Sequence, residues 1–274
     1  MSLKNKKITF IGAGNMAEAL IRGILRAKLV EPSRITAADV RAERLALLQS
    51  AFGIRTTGDN TAALRDADIV ILAVKPQQLG AALESLRPIS APLWISIVAG
   101  VSISQIEKKL GGSARVVRVM PNTPALVGAG AAGLAKGARA SEEDLVSAEA
   151  IFHAVGITAR IDETLMDAVT ALSGSGPAYI FLVTEAMING GIALGLDPAM
   201  AKALAVQTVH GAAELLMETG EEPQSLRSKV TSPGGTTEAA VRVMSSQKLL
   251  EIFVDAMRAA AQRSQELSQQ LARS

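Results

Sequence analysis

The sequence predicts an α/β protein, with a doubly wound, mostly parallel β-sheet in its first half and an all-helical second half. Short apolar runs alternate with segments of helical apolar spacing up to about residue 162, and after that point the strand signals stop. Strands that alternate with helices favour right-handed crossovers and therefore a parallel sheet. We expect two domains, residues 1–162 and 163–274.

The predicted strands are nearly continuous apolar runs, the pattern expected where both faces of a sheet are covered. They are residues 7–11, 34–40, 67–74, 93–100, 114–122 and 130–137. Helical spacing predicts helices over 16–27 and 41–52. In the second half, turn sequences interrupt the helical pattern at 174–177, 195–198, 219–223 and 232–235.

The composition is that of an ordinary globular protein and excludes several classes of function. The chain has 274 residues, of which 49% are hydrophobic and 20% charged. Aromatic residues make up 3% and no dense basic block is present, so we expect no nucleic-acid partner. Cysteine is absent, which excludes disulfides and thiolate chemistry and fits a cytoplasmic location. The sequence offers no convincing set of metal ligands, and we expect no metal.

Residues 177–196 imitate a membrane helix in length and apolarity and include a pair of small residues, Gly191 and Gly195. Glu185, Asn189 and the lack of a basic flank argue against a membrane span. We therefore expect a buried core or interface helix, because a helix that is apolar all round has either of these fates.

A glycine motif, Gly12-x-Gly14-x-x-Ala17, lies between the first predicted strand and the first predicted helix. In a dinucleotide site the first glycine makes the tight turn and the second lets the backbone approach the pyrophosphate. The small third residue, here Ala17, permits close packing of helix on strand. The phosphates then meet unpaired N–H groups at the helix N-terminus. The motif in this context predicts cofactor binding.

The end of the second predicted strand leaves the choice of dinucleotide open. Asp39 could accept a hydrogen bond from a ribose 2′-hydroxyl and would repel a 2′-phosphate. Arg41 and Arg44 follow and could pair with that phosphate, or simply form a solvated helix face. Chemistry alone does not decide between NAD and NADP.

Two further loops leave the carboxyl ends of predicted strands, where ligands of open α/β sheets bind. Residues 73–78 include the stiff, polar pair Lys75-Pro76, and residues 120–124 read Met-Pro-Asn-Thr-Pro. For each of these two loops there are two interpretations: the loop borders the bound cofactor, or it is a simple turn between a strand and a helix.

The run Ser-Pro-Gly-Gly-Thr-Thr at residues 232–237 opens directly into a helical pattern. Thr236 or Thr237 could cap that helix with a side-chain oxygen. Alternatively, backbone N–H groups at the positive end of the helix hold a carboxylate. Because a cap needs one hydroxyl and no paired glycines, Gly234 and Gly235 favour the carboxylate site.

Together these motifs resemble the pyrroline-5-carboxylate reductase family. The matching pieces occur in family order and extend over nearly the whole chain. They are FIGAGNM (10–16), AVKP (73–76), VMPNTPALVGAG (119–130), ALSGSGPAYIF (171–181) and LRSKVTSPGGTTEAAVRVM (226–244). The last piece is close to the family's own signature and far more specific than a glycine motif.

The resemblance implies a Rossmann-type domain, an all-helical dimerisation domain, and NAD(P)H-dependent reduction of L-1-pyrroline-5-carboxylate to L-proline, the last step of proline biosynthesis. The resemblance favours NADP(H). NAD(H) is the alternative, because many relatives have a Ser and a neutral or basic residue where this chain reads Ala38-Asp39-Val40-Arg41. It also implies a homodimer through the C-terminal helices, with decamers common in the family. The cofactor residues implied by position are Gly12, Gly14, Asn15, Met16, Asp39, Arg41, Asn60, Ala73, Val74, Lys75 and Pro76. The substrate residues are Ser232, Gly234, Gly235, Thr236 and Thr237, with Thr237 facing the ring nitrogen as the catalytic residue.

Two rival functions are a β-hydroxyacid dehydrogenase and a non-catalytic dinucleotide sensor that dimerises through its helices. The dehydrogenase class normally uses a lysine base on the first long helix of its second domain. The corresponding residues 173–187 contain no lysine, which disfavours that rival.

Overall fold

The computed structural model of the chain describes residues 3–84, 86 and 92–273, without the side chains of residues 272 and 273. Its contacts divide the chain into two compact units. Gly176–Ala259 form the second unit, and the other described residues form the first. This division by contacts does not test the domain boundary expected after residue 162, between the dinucleotide-binding and the helical domain, which stays a prediction.

The first unit contains one sheet. Its strands are β1 (Ile8–Ile11), β2 (Ile35–Ala38), β3 (Arg55–Thr57), β4 (Ile69–Leu72), β5 (Leu93–Ser96), β6 (Arg115–Met120), β7 (Gly130–Lys136) and β8 (Gly156–Arg160). Among the described residues they lie in the order β3-β2-β1-β4-β5-β6-β7-β8. Every neighbouring pair is parallel except β6 and β7. The predicted doubly wound, mostly parallel sheet is therefore confirmed.

Both faces of this sheet are covered, because successive residues along a strand point alternately into two separate hydrophobic cores. Ile8 and Phe10 of β1 belong to the core on one face, whereas Ile11 belongs to the core on the other. In β4, Ile69 and Ile71 join the first core, and Val70 and Leu72 join the second. Strands buried on both faces must be apolar at every position, which is the signal that the sequence carries.

The helices of the first unit follow the strands in the manner of βα units. Up to residue 175 they are α1 (Asn15–Arg26), α2 (Ala42–Phe52), α3 (Asn60–Ala63), α4 (Leu79–Glu84), α5 (Ile103–Lys109), α6 (Glu142–His153) and α7 (Met166–Val169), and a π-helical turn, Thr170–Gly174, follows α7. The helical residues 260–273 also belong to this unit. The predicted helices at 16–27 and 41–52 correspond to α1 and α2.

Strands β3 and β8 were not predicted, and both lie at the edges of the sheet. Arg55 is exposed and Thr56 and Thr57 are half-buried, so β3 lacks the continuous apolar run of a central strand. β8 is likewise mostly exposed. Edge strands need not be buried on both faces, and their sequences therefore carry a weaker signal.

The second unit is helical throughout. It contains α8 (Gly176–Ala193), α9 (Pro198–Thr219), α10 (Pro223–Lys229), α11 (Thr236–Ser246) and the residues of α12 (Leu249–Arg273) up to Ala259. Helix α8 packs along α9, and the ring of Tyr179 meets that of Phe253 edge to face with centroids 6.3 Å apart. The change from a sheet to helices alone confirms the predicted fold class.

Helix α8 is the segment that imitates a membrane span. No residue of Gly176–Ala193 is buried within the chain, so the prediction of a core helix is wrong and the interface alternative is left. Phe181 and Leu182 are each 67% exposed. Across the described residues, no helix combines the length and apolarity needed to cross a membrane.

Candidate active site

The loop between β1 and α1 can be built only with glycine at its first position. Gly12 has φ +96°, and a Cβ atom there would lie 2.6 Å from the carbonyl oxygen of Ala73 at the end of β4. Gly14 begins α1 without a side-chain cap, and a Cβ at Gly14 would meet no atom within 4 Å. The space next to the N-terminus of α1 is therefore open, and the unpaired N–H groups of the first helical turn could bind a phosphate there.

Two side chains hold this loop in place from opposite sides of Ala13. Asp39 Oδ2 accepts a hydrogen bond of 2.9 Å from the N–H of Ala13. Arg44 Nε donates one of 2.6 Å to the Ala13 carbonyl, and its Nη2 pairs with Glu18 at 2.6 Å. This contact gives Arg44 a structural role, and its sequence position alone did not reveal that role.

Asp39 also binds the arginine that follows it by two positions. Its Oδ1 accepts from the backbone N–H of Arg41 at 3.0 Å and from Arg41 Nε at 2.9 Å, and its Oδ2 accepts from Arg41 Nη2 at 3.0 Å. The side-chain bonds from Arg41 lower the pKa of Asp39 to about 2, burial opposes the shift, and the N–H of Ala13 adds to it. The carboxylate is therefore ionised at any physiological pH.

The remaining predicted cofactor residues lie along or near the same edge of the sheet. Ala73 and Val74 follow β4 and are half-buried, Lys75 is exposed, and Pro76 begins a short 3₁₀ turn. The N–H of Ala73 bonds to the carbonyl of Ile11, which keeps this loop beside the end of β1.

The other three predicted positions occupy the starts of helices. Asn15 is exposed and Met16 is half-buried in the first turn of α1. Asn60 is the first residue of α3, whose N-terminus is capped by Asp59, and α3 packs against β2 and β3. The structure thus brings Gly12–Met16, Asp39, Arg41 and Ala73–Pro76 to the carboxyl ends of β1, β2 and β4.

The second glycine loop lies in the second unit, at the N-terminus of α11. Gly234 has φ +73°, and Gly235 is the N-cap residue, with no side-chain oxygen bonded to the first turn. The interpretation of Thr236 or Thr237 as an ordinary helix cap is therefore wrong. Gly235 donates its N–H to the carbonyl of Ser232, and Gly234 donates to Glu238 Oε2 at 2.8 Å. Ser232 and Thr236 are exposed, and Thr237 is half-buried at the second position of α11.

A feature that sequence reasoning missed is the π-helical turn Thr170–Gly174 and the residue that fixes it. Asn122 Nδ2 donates to the carbonyl of Ser173 at 3.0 Å, and Asn122 Oδ1 accepts from the N–H of Ala131 at 2.8 Å. Asn122 lies in the predicted loop 120–124, just beyond the carboxyl end of β6. Single π-helical turns are frequent at functional sites. The glycines of residues 174–177 were the available signal.

Within the described parts of the chain, no group of three or more His, Asp or Glu side chains is arranged to hold a metal ion. Each unit therefore contains one candidate site, a glycine loop at a helix start, and the charged pair Asp39 and Arg41 lies beside the loop of the first unit.

Comparison with known proteins agrees with this arrangement. A family model for pyrroline-5-carboxylate reductase dimerisation matches residues 163–267, and one for coenzyme F420-dependent NADP oxidoreductases matches residues 7–100. A pyrroline-5-carboxylate reductase of Methanosarcina acetivorans is 47% identical over 97% of this chain and 99% of its own. The enzyme of Pseudomonas aeruginosa is 44% identical over 98% of this chain and 99% of its own.

Solved structures give the same result. The pyrroline-5-carboxylate reductase of Coxiella burnetii is similar with a TM-score of 0.90 and 41% identity, covering 96% of this chain and 99% of that one. The pyrroline carboxylate reductase of Plasmodium falciparum, solved with NADP bound, has a TM-score of 0.87 and 31% identity over 97% of this chain and 99% of that one. The resemblance seen in the sequence is confirmed: the chain belongs to the pyrroline-5-carboxylate reductase family.

Proposed function

We propose that this chain reduces L-1-pyrroline-5-carboxylate to L-proline by hydride transfer from NADPH, the last step of proline biosynthesis. The observation that carries the proposal is the loop Ser232–Thr237, which starts a helix with glycines and hydroxyl groups and has no side-chain cap. Relatives of 44% and 47% identity over nearly the whole chain bear the name of this enzyme.

The first glycine loop fits the pyrophosphate of a dinucleotide. Gly12 tolerates no side chain, Gly14 opens onto free space, and the N–H groups at the start of α1 supply donors and a partial positive charge. Ala73, Val74, Lys75 and Pro76 border the same edge, and Asn60 is assigned to the adenosine ribose. When bound, the reduced dinucleotide supplies the hydride. NADP(H) is the favoured form and NAD(H) the alternative.

The second loop is assigned to the substrate carboxylate. The hydroxyl of Ser232 and the N–H groups of Gly234, Gly235 and Thr236 are the donors assigned to it at the positive end of α11. The Gly234 and Gly235 N–H groups now bond to Glu238 and to the Ser232 carbonyl, and the carboxylate would replace these acceptors. A carboxylate held there is fixed in orientation, which is the main requirement of a reaction whose electrophile is already activated.

Thr237 is assigned to the ring nitrogen. The reaction adds a hydride to the carbon of the C=N bond and leaves a proton on the nitrogen. A protonated cyclic imine is electrophilic by itself, so neither a metal nor a covalent nucleophile is needed. Because a threonine hydroxyl is a weak acid, Thr237 positions the nitrogen by hydrogen bonding rather than serving as the proton source.

The second domain, residues 163–274, is assigned to substrate binding and dimerisation. Helix α8 exposes several large apolar side chains, among them Phe181 and Leu182, and exposed apolar surface of this kind marks an interaction site. We assign it to a homodimer through the C-terminal helices, and a decamer is the larger assembly to look for. Light scattering of Phe181→Asp should show a shift to smaller particles. Leu47→Asp, a change at a leucine 62% exposed on α2, is the matched control that should leave the assembly intact. A cytoplasmic location remains an expectation from composition.

The test of the function is steady-state reduction of pyrroline-5-carboxylate, run in parallel with NADPH and NADH and followed by loss of the reduced cofactor's absorbance. Turnover with the imine, and none with a panel of hydroxy acids and NADP⁺, is the expected result. No turnover with either reduced cofactor would refute the proposal, and the β-hydroxyacid dehydrogenase and the non-catalytic dinucleotide sensor would then be the functions to test.

A further inference from the structure

The pair Asp39 and Arg41 bears on which dinucleotide the site selects, a question that the sequence left open. An acidic residue at the end of β2 usually accepts hydrogen bonds from the ribose hydroxyls of NAD, and a nearby arginine accommodates the 2′-phosphate of NADP. This chain has both residues at that position. Their hydrogen bonds distinguish the two roles.

The acceptor capacity of the Asp39 carboxylate is already filled. A carboxylate has two oxygens with about four lone-pair sites in all. Those of Asp39 accept from the N–H of Ala13, the N–H of Arg41, Arg41 Nε and Arg41 Nη2, at 2.9, 3.0, 2.9 and 3.0 Å. The Asp39 side chain is only 10% exposed. A ribose hydroxyl could bond to Asp39 only by displacing Arg41 or by loosening the glycine loop.

Arg41 has the opposite character. Its side chain is 55% exposed, and Nε and Nη2 form a forked pair with Asp39. Its Nη1 forms no hydrogen bond among the described residues. A guanidinium held on one side by a carboxylate presents its remaining N–H groups outward in a fixed plane, the arrangement that favours bidentate phosphate recognition.

Arg44 does not compete for this role. Its Nε and Nη2 are directed at the carbonyls of Ala13 and Gly14 and at Glu18, and its side chain is 17% exposed. Of the two arginines that follow β2, Arg44 therefore holds the glycine loop and Arg41 faces solvent.

We infer that Arg41 is the residue that selects NADP(H) over NAD(H), by binding the 2′-phosphate, and that Asp39 is a positioning residue that aims Arg41 and holds Ala13. Asp39 in this arrangement neither binds the ribose nor repels the phosphate, because its charge is neutralised by Arg41. This inference rests on the proposed dinucleotide site and assigns its specificity.

The test is direct binding of NADP⁺ and NAD⁺ to the full-length enzyme without substrate, measured by calorimetry. Arg41→Ala keeps Asp39 and its bond to Ala13. It should weaken NADP⁺ binding about tenfold or more, roughly 1.4 kcal/mol, and leave NAD⁺ binding unchanged or tighter, because Asp39 can then accept from the ribose. Asp39→Asn should also lower the ratio of NADP⁺ to NAD⁺ affinity, because it frees Arg41 to sample other rotamers.

The double variant separates positioning from direct contact. If Asp39 acts on the phosphate through Arg41, Asp39→Asn lowers the affinity ratio in the wild type and does not lower it in the Arg41→Ala background, where it removes a carboxylate that no side chain neutralises and so raises the ratio. A general loss of loop structure would weaken both cofactors alike and leave the ratio unmoved. Lys28→Ala, which removes an exposed cation after the end of α1, is the control for nonspecific charge effects.

Two results would overturn the inference. One is an Asp39→Asn variant that binds NADP⁺ more tightly than the wild type, as a repelling carboxylate requires. The other is an Arg41→Ala variant with an unchanged ratio, which decides the matter even if Asp39→Asn does not fold. Because binding is measured without the imine, selective NADP⁺ binding without proline formation would refute the proposed reaction and leave this inference standing.

Discussion

The two glycine loops of this chain both start helices without a side-chain cap, and they differ in how they are held. The loop at Gly12–Gly14 is bracketed by Asp39 and Arg44, and its first residue touches the backbone of Ala73. The loop at Ser232–Thr237 is mostly exposed, and a Cβ at Gly234 would meet nothing within 4 Å.

The difference follows from what surrounds each loop. The first lies at the edge of a sheet whose parallel strands bring three separate chain segments together, those that follow β1, β2 and β4, so its geometry is fixed before a ligand arrives. The second belongs to a helical unit, and the N–H groups of its two glycines form local hydrogen bonds, Gly235 with Ser232 and Gly234 with Glu238. The first loop is thus a preorganised support, whereas the second is exposed and a ligand would have to replace the local acceptors of its Gly234 and Gly235 N–H groups. Four substitutions test this contrast.

The largest effect is expected at the first loop. Gly12→Ala places a Cβ within 2.6 Å of the Ala73 carbonyl oxygen, in a backbone conformation with φ +96° that L-residues rarely adopt. The neighbouring atoms belong to the backbone of Ala73 and Val74, which the sheet holds in place and which cannot move aside as a flexible side chain can. We therefore expect the free energy of unfolding to fall by about 3 kcal/mol or more. Urea unfolding at fixed protein concentration measures it.

Gly14→Ala is the matched control for that substitution. Its φ is −71° and a Cβ there meets open space, so the cost should be about 1 kcal/mol or less. Equal losses for the two alanine variants would contradict the account of a loop fixed by close backbone contact.

At the second loop we expect a loss of turnover without a loss of fold. Thr237→Ala should lower kcat about 10- to 100-fold, or roughly 1.4 to 2.7 kcal/mol of transition-state stabilisation, while NADPH affinity stays unchanged. Thr219→Ala is the control, because the Thr219 hydroxyl bonds only to backbone groups near the end of α9: it donates to the Leu215 carbonyl and accepts from the Glu221 N–H. An unchanged kcat for Thr237→Ala would remove this residue from the chemistry.

A smaller effect on the free energy of unfolding is expected when the pH is lowered and the Asp39 carboxylate beside the first loop is protonated. The pKa of Asp39 is lowered from 3.8 to about 2, so its ionised form stabilises the fold above about pH 4. That stability is lost as the pH falls through about 2. Because Arg41 is more than half exposed, solvent screens the pair. The stability gap between wild type and Asp39→Asn should therefore narrow by about 1 kcal/mol between pH 6 and about pH 3, as measured by urea unfolding. A gap that stays constant with pH would show that Asp39 is not stabilised by these bonds.

The smallest effect concerns the acidic neighbour of the second loop. Glu238 Oε2 accepts from the Gly234 N–H, one of the donors assigned to the substrate carboxylate. Glu238→Gln removes the competing charge and should lower KM about threefold, somewhat under 1 kcal/mol, with little change in kcat. Asp255→Asn breaks an exposed ion pair with Arg258 within α12 and should leave KM unchanged. A higher KM for Glu238→Gln would mean that the glutamate supports the loop instead of competing there.

The sequence alone identified the central strands, because a strand buried on both faces must be apolar along its whole length. It also identified both glycine loops, since their residue types are required by the local backbone. It missed the edge strands β3 and β8 and the π-helical turn held by Asn122. Those features depend on neighbours that local patterns do not specify, and the exposed face of α8 could not be told from a core helix by apolarity alone.

What the sequence by itself determined is the fold class, the family and the positions of the two loops, because these depend on periodicity and on residues at fixed spacing. Tertiary structure decided which charges meet. Arg41 and Arg44 follow the same strand three residues apart, yet one pairs with Asp39 at the surface and the other reaches Ala13 in the glycine loop. The sheet order places β2 beside β1, and that long-range pairing is what brings Asp39 and Arg44 to a loop 26 and 31 positions earlier in the chain.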